Sequence, residues 1–265
     1  MTRARRTLLV LAGCGLLLPA APLYAADPVA APGAADPAGA DVHDPWEGFN
    51  RKIFAFNDFL AIHVLEPVGR GWAWLVPSFA RDSISRLFVN VRTPATMVND
   101  LLQGKPRAAG VDLARLLLNT SVGIGGLLDP AAHCGLPPND EDFGQTFGVW
   151  GIPAGPYLVL PFLGPSSPRD AVGRAADAAA LPYAHIGLSI FVTTGIGAVD
   201  QVNDFSFTAP DIAAERAAAF DWYAAVRNAY VSHREALVRD QASPATPEQV
   251  ERDEELYLPD EELDE

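Results

Sequence analysis

The stretch that most constrains this chain is Phe143 to Asp170, FGQTFGVWGIPAGPYLVLPFLGPSSPRD. It gathers Gly144, Gly148, Gly151, Gly155 and Gly164 with Pro153, Pro156, Pro161, Pro165 and Pro168, while its other residues are largely apolar. Loops rich in Gly and Pro are ordinarily polar, because irregular backbone at a surface has to be solvated. A greasy, non-helical segment instead suggests backbone that lines a cavity, packs under other elements or lies against lipid. A buried hairpin in an ordinary core fits the same residues, and both readings stay open at this point.

The flanking sequence reads as helices with wide apolar faces. Asp44, Pro45 and Glu47 have the order of an N-cap, an N1 proline and a capping-box acid. The helix they open places Phe49, Ile53, Phe56, Leu60 and Val64 on one apolar stripe. Phe54, Phe59 and Ile62 widen that stripe, and Pro67 is expected to end it. Asn50 and Asn57 lie seven apart and share a face; such pairs are ordinarily solvated or cap loops. Trp72 and Trp74 fit a core corner or a bilayer interface. Ser78 is expected to cap a helix through Val91 with Ile84, Leu87, Phe88 and Val91 inward. Thr93-Pro94 is expected to start another that stops at Gly104, a C′ residue. Pro106 opens a third, with Val111, Ala114, Leu117 and Leu118 at helical spacing. Beyond Pro168 a short Ala-rich helix is expected, with Arg174 and Asp177 as a weak pair on its exposed side. Residues 182–207 read as one helix broken near Gly195 and Gly197. Pro210 then opens the longest helix, with Ile212, Phe220, Tyr223, Val226, Tyr230 and Leu237 on its buried side. The class is therefore mainly all-α.

The ends of the chain differ from its middle. Arg3, Arg5 and Arg6 precede the apolar Leu8 to Leu11, and Leu11-Ala12-Gly13-Cys14 is similar to a lipoprotein signal box. On that reading residues 1–13 are a lipoprotein signal peptide and Cys14 is the lipid anchor. The alternative is an ordinary signal peptide over residues 1–26. Residues 14–43 form a flexible Ala/Pro linker, residues 44–240 the folded body, and residues 241–265 a disordered acidic tail. The formal charge is -14, but from Ser243 onward ten carboxylates face Arg252 alone. No basic stripe remains to track phosphates, which argues against nucleic acid. No segment reaches the ~18 apolar residues that a spanning helix needs.

Catalytic patterns are absent from the sequence. There is no G-x-S-x-G; Gly164-Pro165-Ser166-Ser167 is the nearest, and Pro165 makes a poor nucleophile elbow. Gly123-Ile124-Gly125-Gly126 lacks the Lys-Ser/Thr of a phosphate loop. The five histidines are scattered, and the acidic turn Asn139 to Asp142 lacks calcium-loop spacing, so it reads as solvated surface. With Cys14 acylated, Cys134 has no disulfide partner and reads as a buried thiol. No metal or cofactor is expected, and the chain does not read as an enzyme.

Four segments together resemble one family, the MlaA (VacJ) phospholipid-transport lipoproteins of the Gram-negative outer membrane. They are the box at Leu11 to Cys14, DPWEGFNR at Asp44 to Arg51 with FAFN at Phe54 to Asn57, RTPATMVNDLLQG at Arg92 to Gly104, and the Gly/Pro-rich stretch itself. The resemblance implies a ring-like arrangement of amphipathic helices lying in the periplasmic-facing leaflet of the outer membrane. Its implied role is to remove mislocalised phospholipids from the outer leaflet and pass them to a soluble periplasmic carrier, MlaC-like, in association with trimeric porins. A phospholipid hydrolase or a structural porin-associated lipoprotein are the alternatives. The residues expected to border the lipid passage or its gate are Phe49, Asn50 and Phe56 of the first helix. They are joined by Gly148, Gly151, Pro153, Gly155, Tyr157, Leu158, Leu160 and Phe162 of the opening stretch.

Overall fold

The structure, a computed structural model, describes residues 42–239 apart from Ile186 and Leu188. Cys14, the signal segment, most of the linker and the acidic tail lie outside the described residues. In chain order the elements are α1 (Glu47–Leu60), a π-helical turn (Ala61–Leu65), α2 (Glu66–Leu75), α3 (Ser78–Leu102), α4 (Pro106–Ser121) and α5 (Pro130–His133). There follow α6 (Phe143–Val149), β1 (Leu158–Leu160), β2 (Gly164–Ser166), α7 (Pro168–Ala180), a 3-10 turn (Pro182–Ala184), α8 (Ile190–Ala218) and α9 (Trp222–Val238). The fold is mainly α, with one antiparallel hairpin in which Val159 faces Pro165.

Packing contacts close into a circuit. From α1 they pass to β1, β2, α9, α6, α3, α8 and α2, and return to α1 through the π turn, while α4 sits outside on α3 and carries α5 in turn. The opening stretch is thus less irregular than its composition implies. Asp142 caps α6 by accepting from the Gln145 amide at 2.7 Å, and Ser167 caps α7 by accepting from the Asp170 amide.

Three prolines expected to mark helix boundaries lie within continuous helical runs. Pro67 cannot donate to the His63 carbonyl. The wider turn before it, closed by the Glu66 amide on the Ala61 carbonyl, carries the chain from α1 into α2. Pro94 lies inside α3, which runs on to Gln103 and Gly104; Gly104 has the C′ conformation expected of it (φ 77°). Pro210 lies inside α8, where its missing N–H frees the Ser206 carbonyl. Arg81 of α3 donates to that carbonyl at 3.3 Å and to the Ser206 hydroxyl at 2.9 Å. A tertiary donor replaces the lost helical one, so the helix continues. The real break comes at Ala219 to Asp221, with Asp221 capping α9 and Phe220 fully exposed.

The larger departure from expectation is which face of α1, α3 and α4 points inward; Ile212 of α8 and Tyr223 and Val226 of α9 are buried as expected. Among the described residues, buried polar and charged side chains outnumber buried hydrophobic ones. α1 buries Asn50, Phe54 and Asn57 while Phe49, Phe56 and Phe59 face out. α3 buries Asn90, Thr93, Thr96, Asn99 and Asp100, not Ile84 or Leu87. α4 buries Asp112, Arg115 and Asn119, leaving Leu113 and Leu117 outside. Trp74 is 88% exposed rather than tucked into a corner, and Cys134 is exposed as well.

Each junction in this polar interior has a hydrogen-bonding hub. Asn203 of α8 accepts from Trp72 Nε1 (3.0 Å) and donates to the Arg81 carbonyl and the Ser85 hydroxyl, joining α2, α3 and α8. Thr146 donates to Asn99 and accepts from Gln103, joining α6 to α3. The acidic turn is part of the interior rather than solvated surface. Glu141 is buried and accepts from Gln103 and Lys105, and Asn139 donates to Asp100. Arg174 and Asp177 also turn inward: Arg174 donates to the Leu163 and Pro165 carbonyls, and Asp177 accepts from the Phe143 amide.

Candidate functional site

The hairpin is a two-stranded ribbon only three residues deep, too short to hold itself together in isolation. α1 supplies what it lacks. Asn50 Nδ2 donates to the Tyr157 carbonyl (3.1 Å) and Asn50 Oδ1 accepts from the Val159 amide (3.0 Å). Asn57 repeats the pattern three strand residues on, with Nδ2 to the Leu160 carbonyl (2.9 Å) and Oδ1 from the Phe162 amide (2.8 Å). The spacing follows from geometry. Seven helical residues rise about 10.5 Å, and three strand residues advance about 10 Å. Two side-chain amides at that interval therefore act as a third strand, each presenting one donor and one acceptor as a peptide would.

A second layer fastens the start of the body to α9. Asp44 accepts from Asn50 Nδ2 (2.8 Å), the Tyr223 hydroxyl and Arg227, while Arg51 grips Asp221 with two nitrogens at 2.7 and 3.2 Å. Between hairpin and α9 sits the apolar cluster of Phe54, Tyr157, Val159, Tyr223 and Val226. Its aromatic rings meet edge to face, with Phe54 and Tyr223 centroids 5.4 Å apart.

Below the hairpin, α6, α7 and α9 meet around Arg234. It donates to Asp142 (2.6 and 3.0 Å) and to Asp170 (3.1 and 3.2 Å). Burial pushes the Asp170 carboxyl upward, but Arg234, the Tyr230 hydroxyl and Arg169 outweigh it and hold it at about 2. The same convergence explains two glycines. A Cβ on Gly144 would lie 2.6 Å from Arg234 and 2.7 Å from Asp170, and one on Gly173 would lie 2.4 Å from the Gly144 nitrogen. Helices α6 and α7 cross backbone to backbone there. A cavity of about 400 Å³ opens beside this cluster, bordered by Gly155, Tyr157, Ser166, Arg169 and Val238 among others.

The residues expected to border a lipid path fall into separate places. Asn50, Tyr157, Leu158, Leu160 and Phe162 come together at the α1–hairpin junction. Phe56 joins them from outside, its ring edge-on to Phe162 at 5.2 Å, with the two 41% and 52% exposed. Phe49 and Pro153 lie on the exposed surface. Gly148 ends up in α6, where a Cβ would strike Val238 and Arg169. Gly151 and Gly155 occupy left-handed backbone (φ 84° and 80°); Gly155 also abuts Pro168. Sequence reasoning missed Asn57, Asp44, Arg234 and Asp170 as organisers. The one available signal was the Asn50–Asn57 interval itself, set on the same face as Phe54.

Large apolar side chains remain on the outside of α1, α2, α3, α4 and α8: Phe59, Trp74, Phe79, Val98, Leu117, Phe191. Among the described residues no helix is long and apolar enough to cross a membrane. Nor are three or more His, Cys, Asp or Glu side chains placed to hold a metal ion.

Comparison with known proteins gives this arrangement relatives. The family model described as MlaA lipoprotein matches residues 42–237. An uncharacterised protein of Rickettsia felis is 36% identical over 203 residues, covering 75% of this chain and 79% of its own. The intermembrane phospholipid transport system lipoprotein MlaA of Escherichia coli K12 is 41% identical over 138 residues, about half of each chain (51% and 55%). A solved structure from work on the structural basis for maintenance of bacterial outer membrane lipid asymmetry superimposes with a TM-score of 0.66 at 33% identity. It covers 74% of this chain and 98% of the solved one. With the family match spanning essentially the whole described body, the chain belongs to the MlaA lipoprotein family.

Proposed function

We propose that this chain is an outer-membrane lipoprotein that takes mislocalised phospholipids from the outer leaflet and passes them to a soluble periplasmic carrier, keeping the membrane asymmetric. The observation that supports this best is the inverted burial. Large apolar side chains stud the outside of five helices, none of the described helices is long and apolar enough to span, and buried polar side chains outnumber buried apolar ones. Such a body suits one leaflet, with acyl chains against its outer faces and headgroups near its polar parts. Anchorage through a lipidated Cys14, and association with trimeric porins, belong to the same reading and rest on the family resemblance.

Reconstitution tests the proposal. Purified protein in vesicles carrying labelled phospholipid is mixed with an acceptor carrier, and intact labelled lipid is followed into the acceptor fraction. The expected result is protein-dependent transfer without release of free fatty acid. Free fatty acid would favour a hydrolase, and porin capture without lipid transfer would favour a structural lipoprotein; either overturns the proposal.

A further inference from the structure

The segment that carries α4 and α5 is tied at both of its ends to one residue of α3. As the segment leaves α3, the Lys105 amide donates to the Asp100 carbonyl at 2.8 Å. As it returns, Asn139 Nδ2 donates to Asp100 Oδ1 at 2.9 Å. Asp112 of α4 faces Asp100, and the two carboxyls meet within hydrogen-bonding distance. Both are fully enclosed, at 0% and 2% exposure. Asp112 Oδ2 is closed off from solvent and meets no donor among the described residues. No ion or ligand reaches that oxygen from outside; what fits between two carboxyl oxygens in contact is a proton. Two ionised carboxylates in contact without water repel strongly, so such a pair holds one proton between them. The neighbouring cations do not stand in for it. Lys105 reaches Glu141 at 2.8 Å, and Arg115 reaches Asp129 at 2.8 Å and the Leu136 carbonyl. His133 of α5 is exposed and bonded to the Asp129 carbonyl.

We propose that Asp100 and Asp112 are a proton-operated latch: with one proton shared, α4 is held on α3, and with both carboxyls ionised the start of α4 swings away from it. Burial first, then the hydrogen bond and the charge of Asp100, raise the Asp112 carboxyl to about 7, outweighing Asn139 and Arg115. The latch is therefore closed below that value and opens as pH rises through it. At the far end of α4, Asn90 donates to the Thr120 hydroxyl and the Gly125 carbonyl. Those groups do not titrate, so that end stays in place and serves as the pivot. Asn139 carries the motion onward, since Asp142 of the same turn caps α6 and pairs with Arg234.

Paired spin labels on the full chain in detergent test this. Cys14→Ser and Cys134→Ser clear the background, and the labels sit at Arg86→Cys of α3 and Arg107→Cys at the start of α4, both exposed positions. The distance between them is expected to lengthen reversibly between about pH 5.5 and about pH 8.5, with its midpoint near 7. In Asp112→Asn the new amide donates to Asp100 without titrating, so the short distance should persist at both values. Asp100→Asn, which gives Asp112 a permanent donor, should behave alike and covers the case in which the first variant does not fold. A merely structural Asp112 would change the melting temperature on substitution, with no pH-dependent distance to abolish. Difference infrared spectra of the chain without labels should show the carbonyl band of a protonated carboxyl at the lower pH and its loss at the higher. Asp177 also titrates near 7, so the band is compared with that of Asp112→Asn, which should lack part of it. A label distance that ignores pH, a pH-dependent distance undiminished in both variants, or an infrared band that Asp112→Asn leaves whole would each overturn the latch.

Discussion

Replacing Asn50 by Ala removes one half of the zipper between α1 and the hairpin. Asn50 is fully buried, and its amide group occupies the Tyr157 carbonyl, the Val159 amide and one oxygen of Asp44. Truncation strands the first two where water does not reach, and each unmet buried group costs about 1–3 kcal/mol. Asp44 keeps Tyr223 and Arg227, so its loss is smaller. The expected destabilisation is therefore about 3–5 kcal/mol. Asn57→Ala strands the Leu160 carbonyl and the Phe162 amide nearer the hairpin tip, where solvent relieves part of the cost, and about 2–3 kcal/mol is expected. The double variant should fall short of the sum, because the second truncation acts on a hairpin already released. Denaturant titration in detergent gives the energies. Amide hydrogen exchange gives the place, with Val159 exchanging faster in Asn50→Ala and Phe162 in Asn57→Ala. A cost below ~1 kcal/mol for Asn50→Ala, with Val159 still protected, would refute the reading that α1 serves as the third strand.

Other consequences can be tested as directly. Burial first, then the neighbouring Asp100 carboxyl, push Asp112 up to about 7. A carboxyl whose folded pKa lies above its unfolded ~3.9 lowers stability as pH rises between those values, fully so above about 7. Asp112→Asn should therefore stabilise the fold at pH 8, on the order of 2–4 kcal/mol, and leave it nearly unchanged at pH 4; equal effects at both would contradict the assignment. Gly155→Val puts a branched side chain on left-handed backbone with its Cβ 3.2 Å from Pro168, so a loss of about 2–4 kcal/mol is expected in thermal or denaturant melts. Gly151 has the same backbone sign but open space, and Gly151→Ala should cost only about 1–2 kcal/mol. Phe56→Ser with Phe162→Asn removes two outward rings, so stability in detergent should shift by under ~1 kcal/mol. Flotation of the unlipidated protein with vesicles should fall at least tenfold, as expected if each ring withdraws on the order of 100 Å² from water into lipid.

Helix positions were largely legible from the residues, because apolar periodicity reports a helix whichever way its face points. The hairpin was legible too, from prolines and glycines bracketing Leu158 to Leu160. Helix ends were less so. Pro210 reads locally as a start signal, and only Arg81, more than a hundred residues earlier, makes it tolerable inside α8. Gly144 and Gly173 read locally as flexibility, whereas the structure uses them for backbone contact between α6 and α7. The inward face was read correctly for Ile212, Tyr223 and Val226, which are buried, and misread for α1, α3 and α4, where assigning apolar residues to the core overlooks the equally periodic polar set. The polar sets Asn50/Asn57, Asn90/Thr93/Asn99 and Asp112/Arg115/Asn119 carry helical spacing as regular as that of the leucines and phenylalanines opposite them. Periodicity by itself cannot say which set is the interior.

That symmetry has an energetic side. Hydrogen bonds and ion pairs inside a fold contribute little net stability, because the unfolded chain makes equivalent bonds to water. What Asn203, Arg234 and the Asn50–Asn57 pair supply is geometry: each is satisfied at one mutual placement of its helices and penalised at any other. Burial of apolar surface must supply most of the driving force, and here the large apolar faces of α1, α3 and α4 point away from the protein's own core, while α8 divides its apolar residues between a small core cluster and the outside. Against acyl chains those faces leave water without needing a protein partner, so lipid would do for this chain what a hydrophobic core does for others. The polar interior would in turn be shielded by the same leaflet, so that breaking any hub would expose it to hydrocarbon and not to water. On the proposed leaflet placement, stability and membrane residence would be coupled: a substitution on an outward phenylalanine would weaken the fold only where lipid is present, and one on an inward asparagine would weaken it everywhere.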